Sequence, residues 1–99
     1  MLYAIYGKDV TNSLPIRRRV RAAHLERVKI LADEGRLLIA GPLPAIDSPD
    51  PGPAGFSGSL IVAEFESLEE AEQWIAGDPY SSEGVFESVQ VKPFVRVLP

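Results

Sequence analysis

Apolar residues cluster in four short stretches of this chain, and in the first of two longer segments they recur at helical spacing between polar positions. Residues 2 to 7, LYAIYG, are aromatic and branched and are bounded by Gly7 and Asp9, which predicts a strand. Ser13 and Pro15 follow. A serine can cap a helix, and proline's missing N–H costs nothing in a first turn. A helix is therefore expected from residue 15 to Glu34, stopped at Gly35, where glycine takes the left-handed conformation that ends helices. Residues 37 to 43, LLIAGPL, and 59 to 65, SLIVAEF, read as strands. Between them, five prolines from 42 to 53 forbid a helix or a central strand and predict a long loop, of the kind that usually carries function or is disordered. Ser67 and Glu70 form an S-x-x-E capping box that opens a second helix ending at Gly77. Residues 86 to 98 read as a fourth strand, with Pro93 marking an edge position or a bulge.

The resulting order, β-α-β followed by β-α-β, is the split pattern of the α+β ferredoxin-like fold: an antiparallel sheet with both helices on one face. The faces themselves carry more information. The first strand offers Leu2, Ala4 and Tyr6 on one side and Tyr3 and Ile5 on the other. The third offers Leu60 and Val62 on one side and Ile61, Ala63 and Phe65 on the other. Both faces are apolar, whereas a half-solvated sheet alternates. The helices cover one. A homodimer with sheet facing sheet covers the other economically; the plainer alternative is a set of singly exposed apolar side chains.

Composition narrows the classes. The 99 residues are expected to form a single domain spanning 1–99, and 45% hydrophobic with 24% charged residues is ordinary for a globular chain. No apolar run approaches the roughly 20 residues of a membrane helix, and MLYAIYGKDV lacks the charged and apolar segments of a signal peptide, so a cytoplasmic location without membrane contact is expected. The absence of cysteine removes disulfides, thiolate catalysis and cysteine-ligated zinc. A single histidine excludes a zinc site of two or three imidazoles within one chain. No cofactor is expected. A net charge of −4 argues against nucleic acid as a partner.

The one histidine, His24, then becomes the informative residue. At about 100° per residue, Val20, Leu31, His24 and Val28 fall at roughly 0°, 20°, 40° and 80° on the first helix, while Arg18, Lys29, Asp33 and Glu26 occupy the opposite side. His24 thus lies in the apolar stripe, where an imidazole needs hydrogen-bond partners. Two readings follow: a core histidine satisfied by a carbonyl or carboxylate, or a proton carrier at the edge of a pocket, oriented by an acid. The candidate acid is Asp78, just past the glycine stop and held extended by Pro79. Taken alone, Asp-Pro is read first as plain turn chemistry, a common turn opener. Neighbouring helices in a ferredoxin-like fold make the His24–Asp78 pair geometrically possible.

Other features carry less. GFSGS, residues 55 to 59, approaches the nucleophile elbow G-x-S-x-G but ends in Ser59 and precedes a strand, which disfavours a serine hydrolase. Ser57 and Gly58 are expected to line a pocket, joining the long loop to the third strand. Gly41, before Pro42, permits close approach of a ligand or of another backbone. Arg17, Arg18, Arg19 and Arg21 occupy the first turns of a helix, where the dipole disfavours cations. They read either as a solvated face paired with acids or as an anion-binding rim, with Arg21, nearest the His24 stripe, the best single candidate. Asp47 and Asp50 lie in the loop without metal-loop spacing.

The segments MLYAIYGKD, VRAAHLERVKILADEGRLLIAGPLPAIDS, GFSGSLIVAEFESLEEAEQW, DPY and VKPFVRV, in that order over essentially the whole length, resemble the YciI-like proteins of the YCII-related domain family. The resemblance implies a ferredoxin-like fold assembled as a dimeric α/β barrel. It also implies a site built on a histidine of the first helix and an aspartate after the second, which map onto His24 and Asp78. Relatives of that group are linked to dehydrochlorination of chlorinated hydroxyquinols, and muconolactone isomerases share the barrel architecture. The expectation is a cofactor-free lyase or isomerase that moves a proton on a small organic substrate. Substrate contacts are expected from Arg21, Gly41, Pro42, Ser57, Gly58 and Tyr80. The alternative is a non-catalytic dimeric module that binds a small ligand or a protein.

Overall fold

The computed structural model describes residues 1–99. In chain order it contains β1 (Leu2–Asp9), α1 (Leu14–Asp33), β2 (Leu37–Pro44), a 3-10 turn (Gly52–Ala54), β3 (Phe56–Glu64), α2 (Leu68–Ala76), the single turn α3 (Pro79–Ser82) and β4 (Phe86–Phe94). The four strands form one sheet in the order β2-β3-β1-β4, every neighbouring pair antiparallel. This is the α+β ferredoxin-like arrangement the pattern predicts, with α3 as an addition. No helix is long and apolar enough to cross a membrane.

The ends of the elements show what the pattern lacked. α1 stops where expected, at Gly35 with φ +73°. Its start differs. Ser13 makes no cap with its side chain; the hydroxyl donates to the buried Asp9 carboxylate instead. Ser13 has φ −71°, ψ −18°, helical values rather than the extended ones of a capping residue. α2 opens as predicted, Ser67 Oγ accepting from the Glu70 amide at 3.1 Å. The Glu70 carboxylate, however, accepts from the amide of Glu66 rather than closing the box on Ser67. β4 ends at Phe94, four residues short of the expected end. The reason is register: Phe94 pairs with Leu2, the first residue of β1, so Val95–Leu98 have no strand to pair with. Pro42, Pro44 and Pro93 all sit on edge strands, where a missing N–H disrupts nothing.

One face of the sheet builds the core. Tyr3, Ile5, Ile61, Ala63 and Phe65 pack against Val28 and Leu31 of α1 and Ala71 and Ile75 of α2. Burying each large aliphatic side chain contributes about 1.5–3 kcal/mol. α1 packs over β2, and α2 over β1 and β4. On the opposite face Tyr6, Leu60, Ile39 and Phe94 remain exposed. The β1–β3 junction is unusually close: a Cβ at Gly58 would stand 2.3 Å from the carbonyl oxygen of Gly7. A bulge adjoins it. Leu43 pairs with Gly58 and Pro44 with Phe56, which leaves Ser57 as the extra residue and switches the side on which the following side chains fall.

Candidate functional site

The five buried residues of α1 are Arg17, Val20, His24, Val28 and Leu31, one stripe of the helix. His24 points from it toward the turn that joins α2 to α3. There Gly77 ends α2 and Asp78 takes φ −76°, ψ 143°, the extended conformation that a following proline imposes. Asp78 caps α3 by accepting from the Tyr80 amide on Oδ2 at 2.9 Å. The same oxygen lies 2.7 Å from His24 Nδ1, and Oδ1 accepts from Arg27 Nη1 at 2.9 Å. Asp78 is fully buried, and these three donors satisfy it. A carboxylate only accepts, so Nδ1 carries the hydrogen and a neutral His24 ring keeps its lone pair on Nε2. Nε2 has no partner within the chain, yet no sealed polar side-chain atom is left unpaired, so this nitrogen opens onto the cavity that His24 lines.

Stacking fixes the plane of the imidazole. Tyr80, carried by α3, lies parallel to it with ring centroids 3.9 Å apart and an angle of 8°. Phe86 meets Tyr80 edge-on at 5.7 Å. Room for Phe86 comes from Gly7, where a Cβ would stand 2.6 Å from the phenyl ring. Arg17 approaches both Tyr80 and Phe56, its guanidinium carbon 5.0 and 5.1 Å from the ring centroids. It is itself pinned by two hydrogen bonds to Asp9, at 2.7 and 2.9 Å, and by bonds to Gly58 O and Ser59 Oγ. Burial pushes the Tyr80 phenol above its ordinary value; the charges of Arg17 and Arg21 pull against that, and Asp78 adds to it.

The cavity holds about 520 Å³ between α1, β2, β3 and the loop around Pro51. It brings together most of the expected site: His24, Arg21, Gly41, Pro42 and Tyr80 all line it, and Asp78 stands directly behind His24. Ser57 and Gly58 do not. The bulge takes Ser57 to the rim, where its hydroxyl donates to the Leu43 carbonyl, and Gly58 is closed against β1. Phe56 and Ser59 take their places on the wall. Three further residues escaped the pattern: Asp9, Arg17 and Arg27. Two left a signal. On the wheel that places Val20 at 0°, Arg17 falls at about 60° and Arg27 at about −20°, both inside the apolar stripe. A cation on a buried stripe calls for an acid across the core, and the four neighbouring arginine positions obscured which one was buried. Asp9 left only a weak signal, as the last inward position of β1.

The YCII-related domain model matches residues 1–95. The chain is 60% identical over 98 residues to protein YciI of Escherichia coli O6:H1 (strain CFT073), covering 99% of this chain and all of that one. It is 50% identical over the same span to an uncharacterized protein of Haemophilus influenzae. Among solved structures it superposes with a TM-score of 0.86 on 5-chloro-2-hydroxyhydroquinone dehydrochlorinase (TftG) from Burkholderia phenoliruptrix AC1100, in complex with 2,5-dihydroxybenzoquinone. That pair shares 28% identity, with 98% of this chain and 96% of the other covered. By sequence over its whole length and by fold, this chain belongs to the YCII-related domain family.

Proposed function

We propose that the chain is an enzyme that transfers a proton on a small organic substrate, with His24 as general base and acid and Asp78 as the group that orients it. The observation that carries this reading is the Asp78-held imidazole whose free Nε2 faces a cavity of small-molecule size. Asp78 fixes the tautomer and stabilises the imidazolium formed when Nε2 takes a proton. Arg27 balances the buried carboxylate, and Tyr80 holds the ring plane. Isomerisation needs a proton removed at one atom and returned at another. Elimination needs a proton removed while the leaving group departs with its bonding electron pair, the proton then passing from the imidazolium to water. One imidazole can serve either. The dehydrochlorinase neighbour, on the same fold, supports elimination as the first reaction to assay. Arg21, Gly41, Pro42 and Tyr80 are the proposed substrate contacts.

The assay is chloride release from 5-chloro-2-hydroxyhydroquinone, together with binding of 2,5-dihydroxybenzoquinone followed by the NMR signals of the His24 ring. His24→Gln should abolish turnover while circular dichroism stays unchanged. Asp78→Asn should lower it on the order of 10³–10⁴-fold, the loss that accompanies a wrong tautomer. Turnover that survives His24→Gln would sink the mechanism; wild-type binding without turnover would favour a ligand-binding module.

We also propose that two copies pair through the open sheet face. The apolar exposure of Tyr6, Leu60, Ile39 and Phe94 supports it.

A further inference from the structure

Five arginines lie on α1, and their partners divide them. Arg17 is bound to Asp9, Arg19 to Glu83 and Arg27 to Asp78. Arg18 and Arg21 have no carboxylate partner, and both line the cavity that holds His24. One acid, Asp50, shares that wall without pairing to either. The chain as a whole carries −4, so this is a locally cationic cavity on an acidic protein. The first turn of α1 has no acidic residue to offset the cations there, an arrangement that costs helix stability. The rest of the wall is largely apolar, with Leu25, Val28, Phe56 and Ile61 among its residues.

We infer that the ligand of this cavity is a small organic anion with an apolar body, its carboxylate or phenolate held by Arg21 and Arg18 while its reacting carbon faces His24. Guanidinium groups grip such oxygens through paired N–H donors. The charge of Arg21 also reaches the Tyr80 phenol, which borders the same space beside the imidazole. The inference rests on the proton-transfer reading for the ligand's orientation, but the binding itself does not require a working base.

The test uses benzoate and its neutral isostere benzamide as probes, titrated into the full-length protein at low salt and followed by calorimetry and by NMR signals of cavity residues. Wild type should prefer benzoate by about tenfold or more, as expected for a charge-assisted contact, and added salt should erode that preference. Arg18→Gln/Arg21→Gln should abolish the preference and leave benzamide unaffected. Arg18→Lys/Arg21→Lys, which keeps the charge, should retain part of it. His24→Gln should keep the preference for benzoate over benzamide, so loss of turnover there with the preference intact separates this inference from the mechanism. Equal affinity of wild type for the two probes, no detectable benzoate binding, or a preference that persists without both arginines would overturn it.

Discussion

Tyr80 shows how one side chain joins the site to the stability of the fold. Its ring stacks on His24 and rests against Phe86, and its phenol is pushed above its ordinary value by burial. The sign of the consequence follows from linkage. With the folded value raised, the unfolded chain loses this proton first. The stabilisation is therefore complete below an unfolded value of about 10 and is lost as pH rises toward the folded one. Urea unfolding between about pH 8 and pH 11 should show wild-type stability falling above pH 10 more steeply than that of Tyr80→Phe. Parallel curves would mean that Tyr80 is not the group responsible. The hydroxyl is exchanged here but the ring is kept, so the His24 stack should survive the substitution.

Among the elements, α1 is the one whose placement decides the site. Its first turn is tied to β1 by the Arg17–Asp9 pair, with side chains only 6% and 1% exposed, and through Arg17 to Gly58 and Ser59 of β3. Three elements meet at one guanidinium. Removing one partner leaves the other charged and buried, so Arg17→Ala should cost about 3–5 kcal/mol. The double variant Asp9→Asn/Arg17→Met should recover much of that loss, because no unpaired charge remains. Chemical denaturation of the single and double variants measures both. If the double variant is as unstable as Arg17→Ala, the pair is not what anchors the helix. The element order and both helix stops were legible in the pattern of residues 2 to 94, and Pro93 marked an edge position or a bulge; Pro44, which reads as loop, instead ends the edge strand β2. The extra turn α3 was not, since Asp-Pro reads equally as a turn and as the cap of a very short helix.

For the whole molecule, the question is what covers the second sheet face. Residues paired across β1 and β3, such as Tyr6 with Leu60, put apolar side chains on it, and no helix lies over it. If two copies meet there, Leu60→Lys places a charge at the middle of the seam. Sedimentation should then report wild type at twice the chain mass and the variant at the chain mass, with far-UV circular dichroism unchanged. A monomeric wild type at micromolar concentration would remove the proposal.

The sequence by itself determined the periodicities and the stops: four strands, two principal helices, and the face of α1 on which His24 lies. These are local properties, set by side-chain spacing, proline and glycine. It also carried, in the order of its segments, the family to which the chain belongs. Only the tertiary structure decided which acid meets which base. Asp78 reaches His24 across 54 positions of sequence, and the Ser13 hydroxyl donates to Asp9 and makes no cap to α1. It likewise decided that Ser57 leaves the cavity and Phe56 enters it, because one extra residue in β3 reverses the side to which the strand's side chains point. And it separated α1's arginines into three that are spoken for and two that face an open cavity. That distinction depends on distances between elements, which no spacing along a single helix encodes.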